Sequence, residues 1–387
     1  MAESHVVISQ RGAERLRSGH LWVYRSDVRS SDAAAGDIVR LTDDYGNFLG
    51  RAFYSDRSQI TIRLLTREDV PVDRAFFLAR IRSAAENRKR VVEDTEAFRL
   101  VYSEADLLPS LIVDRYSDFL VIQTLSQGAE RMKDDFVSIL TELFSPRGIL
   151  ERNDPRVRDL EGLPRRVSLL TGEVPPEIEA RRNGIRFLHD LHKGQKTGGF
   201  LDQRENHRAA ISYASGEVLD CFTYQGGFAL SIASRAAQVE AIDMSLAALE
   251  VARRNQELNG IGNVTLREAN AFDVLKAYDE ARRQFDMVIL DPPAFAKNRD
   301  SVASAVRGYK EINLRALKLL KPGGCLITCS CSYHISESLF LQLIAEAAND
   351  ARRSVQIVER RTQSRDHPIL LTMPETLYLK CLILRAI

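Results

Sequence analysis

VLDCFTYQGGFALSIASRAA, residues 218–237, opens as an apolar strand, turns at Gly226 and Gly227, and continues as a helix of small and apolar residues. Glycine reaches backbone conformations closed to other residues, so this pair lets the chain come close to a ligand before it turns. The helix that follows presents its N-terminus there, which favours an anionic group such as a carboxylate. Downstream, VEAID (239–243) reads as a second strand. Ser245 then caps a helix over SLAALEVARRNQELNG that Gly260 stops. VTLREA (264–269), FDMVILD (285–291) and CLITCS (325–330) continue a series of buried strands, each followed by a helical pattern. SVQIVERR (354–361) and TLYLKCLILRA (376–386) close the series with no long helix between them. From about Arg186 onward the alternation predicts an α/β domain around a mainly parallel sheet, and the closing hairpin predicts one antiparallel edge strand.

In such a sheet, ligands collect at the carboxyl ends of the strands. Asp243 ends the second strand, where an acid commonly accepts both hydroxyls of a ribose. Asn270, Ala271 and Phe272, after the third strand, are placed for an edge contact to adenine. The dinucleotide fingerprint G-x-G-x-x-G is absent, which argues against NAD or FAD.

Upstream, residues 1 to about 70 read as a small β-rich module: IVRLTD and FLGRAFY flank the turn DYGN, and SQITIRLL follows. The only tryptophan, Trp22, precedes them. DRAFFLARIRSAAENRKRVV (73–92) has helical spacing, and FRLVYS, LLPSLIVDRYS and DFLVIQTL read as strands before a helix over RMKDDFVSILTELF. The Pro- and charge-rich stretch before Arg186 reads as a linker. Three domains are therefore expected, over residues 1–70, 71–185 and 186–387, in keeping with a chain of 387 residues.

Hydrophobic residues at 44% and charged residues at 28% exclude a disordered chain. No apolar run approaches the roughly 18 residues needed to span a bilayer, and the first residues do not read as a secretory signal, so a cytoplasmic protein with no membrane partner is expected. The five cysteines (Cys221, Cys325, Cys329, Cys331, Cys381) contain no C-x-x-C pair, so neither a disulfide framework nor a metal site is expected. Cys221, Cys325 and Cys381 read as core. A net charge of +1 leaves any nucleic-acid contact to local basic stretches such as residues 79–90 and 180–208.

Two strand ends carry the chemistry. GGCLITCSCSY (323–333) brings Cys331 to the end of an apolar strand, and VILDPPAFAK (288–297) ends another at Asp291. A thiol beside an Asp-Pro-Pro turn reads as a nucleophile for an electrophilic ring such as a pyrimidine, because a thiolate is both a strong nucleophile and a serviceable leaving group. Cys329, two residues earlier, is its competitor.

With these residues assembled, the chain resembles the class I S-adenosylmethionine-dependent methyltransferases. More narrowly, it resembles the large-subunit ribosomal RNA cytosine-5 methyltransferases that carry an N-terminal PUA domain. RLRSGHLWVYRSDV (15–28), SEADLLPSLIVDRYSD (103–118), KGQKTGGFLDQREN (193–206), DPPAFAK (291–297), TCSCS (328–332) and DHPILLTMPETLYLKCLIL (366–384) carry the likeness, which covers essentially the whole chain. It implies a small PUA-like β-barrel, a mixed α+β middle domain, and a Rossmann-like methyltransferase domain with a seven-stranded, mostly parallel sheet.

The resemblance implies S-adenosylmethionine as cofactor, held by Gln203, Arg204, Asp220, Phe222, Tyr224, Gly226, Gly227, Asp243, Asn270, Ala271, Phe272 and Asp291. Cys331 and Asp291 are the implied catalytic pair, with Pro292, Pro293 and Phe295 at the substrate, while Lys297 reads as a solvated lysine rather than a phosphate contact. Asp202 and Asn206 are expected to cap the helix that follows them, and Arg17, His20 and Trp22 to help the PUA-like module grip RNA. The implied substrate is RNA, as 23S ribosomal RNA or a ribosomal subunit precursor, and a homodimer is left open. Two other readings compete: a guanine N2 or N7 methyltransferase, which needs no cysteine, and a non-catalytic ribosome assembly factor. Ala294 stands where the amine-directed motif would have an aromatic residue, which argues against the guanine reading.

Overall fold

The computed structural model describes residues 4–296, 298 and 300–387. They fall into two compact units. The first comprises the chain up to Ala180, with His189–Leu201 and Arg365–Thr376. Its first sheet has six strands, in the spatial order Trp22–Tyr24, Ile60–Thr66, Phe48–Tyr54, Ile38–Asp43, His5–Ile8 and Val28–Ser31. The predicted DYGN turn joins two of them. Asp43 fastens it by accepting from the backbone N–H groups of Tyr45 and Asn47, each at 3.0 Å. A second sheet runs Arg166–Gly172, Gly148–Asn153, Phe119–Thr124, Leu111–Tyr116 and Ala97–Tyr102. Helix Arg74–Val91, capped by Asp73 on the Phe76 N–H at 3.0 Å, buries Phe77 and Ile81 against this sheet's apolar residues.

The stretch expected to be a linker is structured. Arg166–Gly172 pairs with Gly148–Asn153, and Ile178–Arg182 forms a two-stranded sheet with Ile185–His189. Charged residues on exposed strand faces hid the alternation there: Arg166–Gly172 is at best half-buried throughout.

The second unit comprises Arg181–Leu188, Asp202–Ser364 and Leu377–Ile387. Its strands are β1 (Glu217–Cys221), β2 (Gln238–Asp243), β3 (Val264–Glu268), β4 (Phe285–Leu290), β5 (Leu320–Ser330), β6 (Val355–Arg361) and β7 (Lys380–Ala386). Its helices are α1 (Arg204–Ile211), α2 (Gly227–Ile232), α3 (Leu246–Leu258), α4 (Ala271–Glu280), α5 (Val302–Lys318) and α6 (Glu337–Asp350). The sheet order is β3-β2-β1-β4-β5-β7-β6, with β1 to β5 parallel and β7 antiparallel to both neighbours. Ser245 caps α3 on the Ala248 N–H at 3.2 Å, as expected.

One expectation is corrected. The antiparallel strand is not the edge: β7 lies between β5 and β6. Its residues KCLILRA are buried except Arg385, which suits a position paired on both sides, whereas VQIVERR of β6 keeps exposed positions throughout and takes the edge. Alternation along the strands then divides two cores. Leu219, Leu290, Leu326 and Leu382 pack with α4, α5 and α6, while Val218, Ile289, Cys329 and Cys381 pack with α1 and α2. Each fully buried aliphatic side chain contributes roughly 1.5–3 kcal/mol. Among the described residues no helix is long and apolar enough to cross a membrane.

Candidate active site

The turn after β1 is held in an uncommon conformation. Phe222, Tyr224 and Gly226 all have positive φ, at 66°, 50° and 85°. For non-glycine residues this costs of order 1–3 kcal/mol each, and it persists where the surroundings over-determine it. Here the Thr223 N–H donates to Ile242 O at 3.0 Å, the Gly226 N–H to Thr223 O at 2.9 Å, and the Tyr224 N–H to Asp243 Oδ2 at 2.9 Å. Gly226 and Gly227 are both required. A Cβ at Gly226 would stand 2.9 Å from Leu230, and one at Gly227 would stand 2.6 Å from the His207 ring. Burial pushes His207 down to about 3, so the imidazole beneath Gly227 is neutral, edge-on to Phe228 at 4.4 Å.

Three carboxylates gather around this turn. Asp220 is fully buried at the end of β1, and its Oδ2 accepts from the Thr223 hydroxyl at 2.6 Å and the Ala229 N–H at 3.1 Å. Its Oδ1 has no hydrogen-bond partner among the described residues. Burial, together with the negative charges of Asp291 and Asp243, raises Asp220 to about 7. Asp243 accepts from the Tyr224 N–H on one oxygen and the Ser245 N–H at 2.9 Å on the other. Asn270 caps α4 on the Phe272 N–H at 2.9 Å, Ala271 is buried, and the Phe272 ring lies 5.9 Å from that of Phe295.

Gln203 and Arg204 are both buried. Gln203 donates to Asp291 Oδ1 at 2.8 Å and accepts from Asn206 Nδ2 at 2.6 Å. The Arg204 guanidinium lies 3.5 Å from the Glu205 carboxylate. Asp202 and Asn206 do not cap α1, contrary to expectation. The cap position is Gln203, Asp202 instead accepts from the Tyr378 hydroxyl at 2.6 Å, and Asn206 ties Gln203 to the Thr362 carbonyl.

The ends of β4 and β5 form the other half of the site. β5 stops at Ser330, so Cys329 and Cys331 do not share an environment. Cys329 is fully buried opposite Cys381, and burial drives its thiol well above the usual range. Cys331 is half-buried, its sulfur 4.0 Å from the Pro292 carbonyl. Ser330 and Ser332 on either side of it are buried, and both bond the buried Tyr309 hydroxyl at 3.0 Å. Ser332 also accepts from the Ala296 N–H at 3.1 Å, joining the Asp-Pro-Pro loop to the cysteine loop. Pro292 is buried and Pro293 exposed. Phe295 packs 4.6 Å from the Tyr309 ring and 6.5 Å from Phe222. Lys297 lies outside the described residues. The sequence reading missed Tyr309, Ser330, Ser332 and Lys380, whose Nζ donates to the Ser332 and Ile335 carbonyls at 2.8 Å each. A lone lysine inside TLYLKCLIL was the available signal for the last. In the first unit, Arg17 pairs with Asp43 at 2.6 Å, His20 faces Glu375 at 3.4 Å, and the Trp22 indole donates to Glu104 at 2.9 Å. No group of three potential metal ligands occurs among the described residues.

A family model for S-adenosylmethionine-dependent methyltransferases matches residues 165–385, and one for PUA-like domains matches residues 6–67. The chain is 41% identical to ribosomal RNA large subunit methyltransferase I of Tolumonas auensis, covering 99% of this chain and 100% of that one. It belongs to the large-subunit ribosomal RNA methyltransferase I family. The relative of the same name from Shewanella amazonensis is 42% identical over 95% of each chain. A candidate S-adenosylmethionine-dependent methyltransferase from Streptococcus mutans shares the fold, with a TM-score of 0.83 at 21% identity, over 98% of this chain and 99% of that one. A further candidate methyltransferase with the same TM-score was solved with SAH.

This family member is therefore an S-adenosylmethionine-dependent methyltransferase, with a PUA-like N-terminal domain and a class I α/β domain. Its residues fit that cofactor. Asp220, raised by burial and by the negative charges of Asp291 and Asp243, keeps a buried Oδ1 with no partner among the described residues, and the three carboxylates together make a site complementary to a cationic ligand.

Proposed function

We propose that this chain methylates carbon 5 of a cytosine in large-subunit ribosomal RNA through a covalent adduct at Cys331. The supporting observation is the half-buried Cys331 sulfur, 4.0 Å from the carbonyl of Pro292 and so next in chain to Asp291, while Cys329 is sealed in the core. S-adenosylmethionine, when bound, supplies an electrophilic methyl group on a sulfonium. Cys331 loses its thiol proton to solvent, and its sulfur forms a bond to carbon 6 of the ring. The C5–C6 π pair shifts toward carbon 5 and makes it nucleophilic. Once carbon 5 is methylated, water removes the proton there, the double bond re-forms, and the C6–S bond breaks to release the thiolate. Asp291, with one oxygen fixed by Gln203, faces the N3 and exocyclic-amine edge of the base. Pro292, Pro293 and Phe295 border the base. For the cofactor, Asp243 takes the ribose hydroxyls, residues 270–272 the adenine, and Asp220 with the turn through Gly226 and Gly227 the methionine end, which Gln203 and Arg204 border.

The names of the relatives and the PUA-like module, which we assign to RNA grip, support ribosomal RNA or a precursor particle as substrate. The test is methyl transfer from tritiated cofactor to ribosomal RNA of cells lacking the gene, followed by nucleoside mass spectrometry. The expected product is 5-methylcytidine. A methylguanosine would refute the covalent cysteine, and cofactor binding without any product on RNA or subunit particles would make the chain an assembly factor.

A further inference from the structure

Lys380 is a charged side chain at the centre of an apolar strand. It lies opposite Ser330 in the β5–β7 register and is 7% exposed. A buried ammonium is costly unless it is paired, and proteins ordinarily give it a carboxylate. Among the described residues none makes an ion pair with Lys380. Its Nζ donates instead to two backbone carbonyls, those of Ser332 and Ile335, at 2.8 Å each. Both belong to the loop that begins at Cys331. The groups that face it electrostatically are Cys331 from that loop and Glu337 at the start of α6, and Tyr309 of α5 senses the same sulfur. Burial lowers Lys380 to about 8, and the nearby Cys331 is the larger of the two influences that oppose the fall. The fold thus keeps a weakly compensated cation beside the one cysteine that is not sealed in the core.

We propose that Lys380 is a positioning residue for Cys331: its ammonium clamps the loop that presents the sulfur and stabilises the thiolate that the reaction requires. This rests on the covalent-cysteine reading. It accounts for how the half-buried thiol, 4.0 Å from the Pro292 carbonyl, reaches the thiolate form that attack on the ring requires. A thiolate beside a lysine ammonium is favoured over one in apolar surroundings.

The test measures alkylation of Cys331 by iodoacetamide against pH, with peptide mass spectrometry, on the full chain without RNA or cofactor. In the wild type the titration midpoint is expected below the ordinary thiol value of about 8.5. Lys380→Met should raise it by about one unit, slowing alkylation at pH 7 about tenfold, and Lys380→Arg should restore most of the rate. A wild-type midpoint at or above the ordinary value overturns the proposal without any variant, so it stays testable even if Lys380→Met does not fold. An unchanged midpoint in a folded Lys380→Met also overturns it. A normal thiol together with 5-methylcytidine product defeats this inference alone. A depressed thiol with no such product defeats the covalent reading and leaves the coupling in place.

Discussion

The carboxyl ends of β1 and β5 lie two strands apart in one sheet and are built with opposite charge. Around the end of β1 stand Asp220, Asp243 and Asp291, and a neutral imidazole floors the turn. Around the end of β5 stand hydroxyls and the Lys380 ammonium, with Cys331 between two buried serines. The first end suits a cation and the second an anion. The reaction proposed for this chain, which moves a methyl group off a sulfonium onto a ring activated by a thiolate, needs both, kept apart. The contrast teaches that the sheet separates charge before any ligand arrives, as pre-organised sites do.

The contrast breaks most completely at Cys331. Cys331→Ala should lower methyl transfer by about 10³-fold or more while cofactor binding persists, measured by transfer rate and calorimetry. Cys329→Ala should keep transfer within about tenfold and instead lower stability by roughly 1–2 kcal/mol, as a small cavity in the core does. Equal losses of transfer in both variants would mean the two thiols are not distinguished. At the other end, Asp243→Ala removes the acceptor for two backbone amides of the turn. Cofactor affinity should fall by about 10²-fold in calorimetry, with the rate at saturation changed far less.

A smaller effect concerns pH. Asp220 is raised to about 7, so it is neutral below that value and negative above it. Affinity for the cationic cofactor should therefore rise by up to about tenfold between pH 6 and 8, and Asp220→Asn should flatten the curve. The smallest effect is on stability. His207 is depressed to about 3 in the folded chain, below its unfolded value of about 6.5. Its contribution is therefore complete above pH 6.5 and is lost as pH falls toward 3. Between pH 6.5 and 5.5 about 1 kcal/mol should disappear, visible as a Tm drop of roughly 2–4 °C that His207→Gln lacks.

Local signals in the sequence were faithful. Ser245 and Gly260 bounded α3 because a cap and a stop act within one turn of helix, and the turn at Gly226 was legible because only glycine tolerates its crowding. What depended on distant partners was not legible. Asp202 and Asn206 have the chemistry of caps, yet Tyr378 and Thr362, far along the chain, engage them instead. The slot of β7 follows from which strand buries its sides more fully, a property of the assembled sheet. The separation of Cys329 from Cys331 turns on β5 stopping at Ser330, one residue short of continuing the alternation. The stretch before Arg186 passed for a linker because strands with charged, exposed faces, such as Arg166–Gly172, lose the period-two pattern.

The position of β7 also has a consequence for biosynthesis. The order of synthesis does not match the order in the sheet: β6 leaves the ribosome before β7, yet its sheet partner is β7. Until that strand emerges, the apolar flank of β5 and the whole of β6 stay unpaired. The interval is the time taken to translate residues 362–386, roughly one to five seconds at ordinary elongation rates. During it the nascent chain carries open strand edges on β5 and β6, the kind of surface that chaperones screen and that strays into intermolecular pairing.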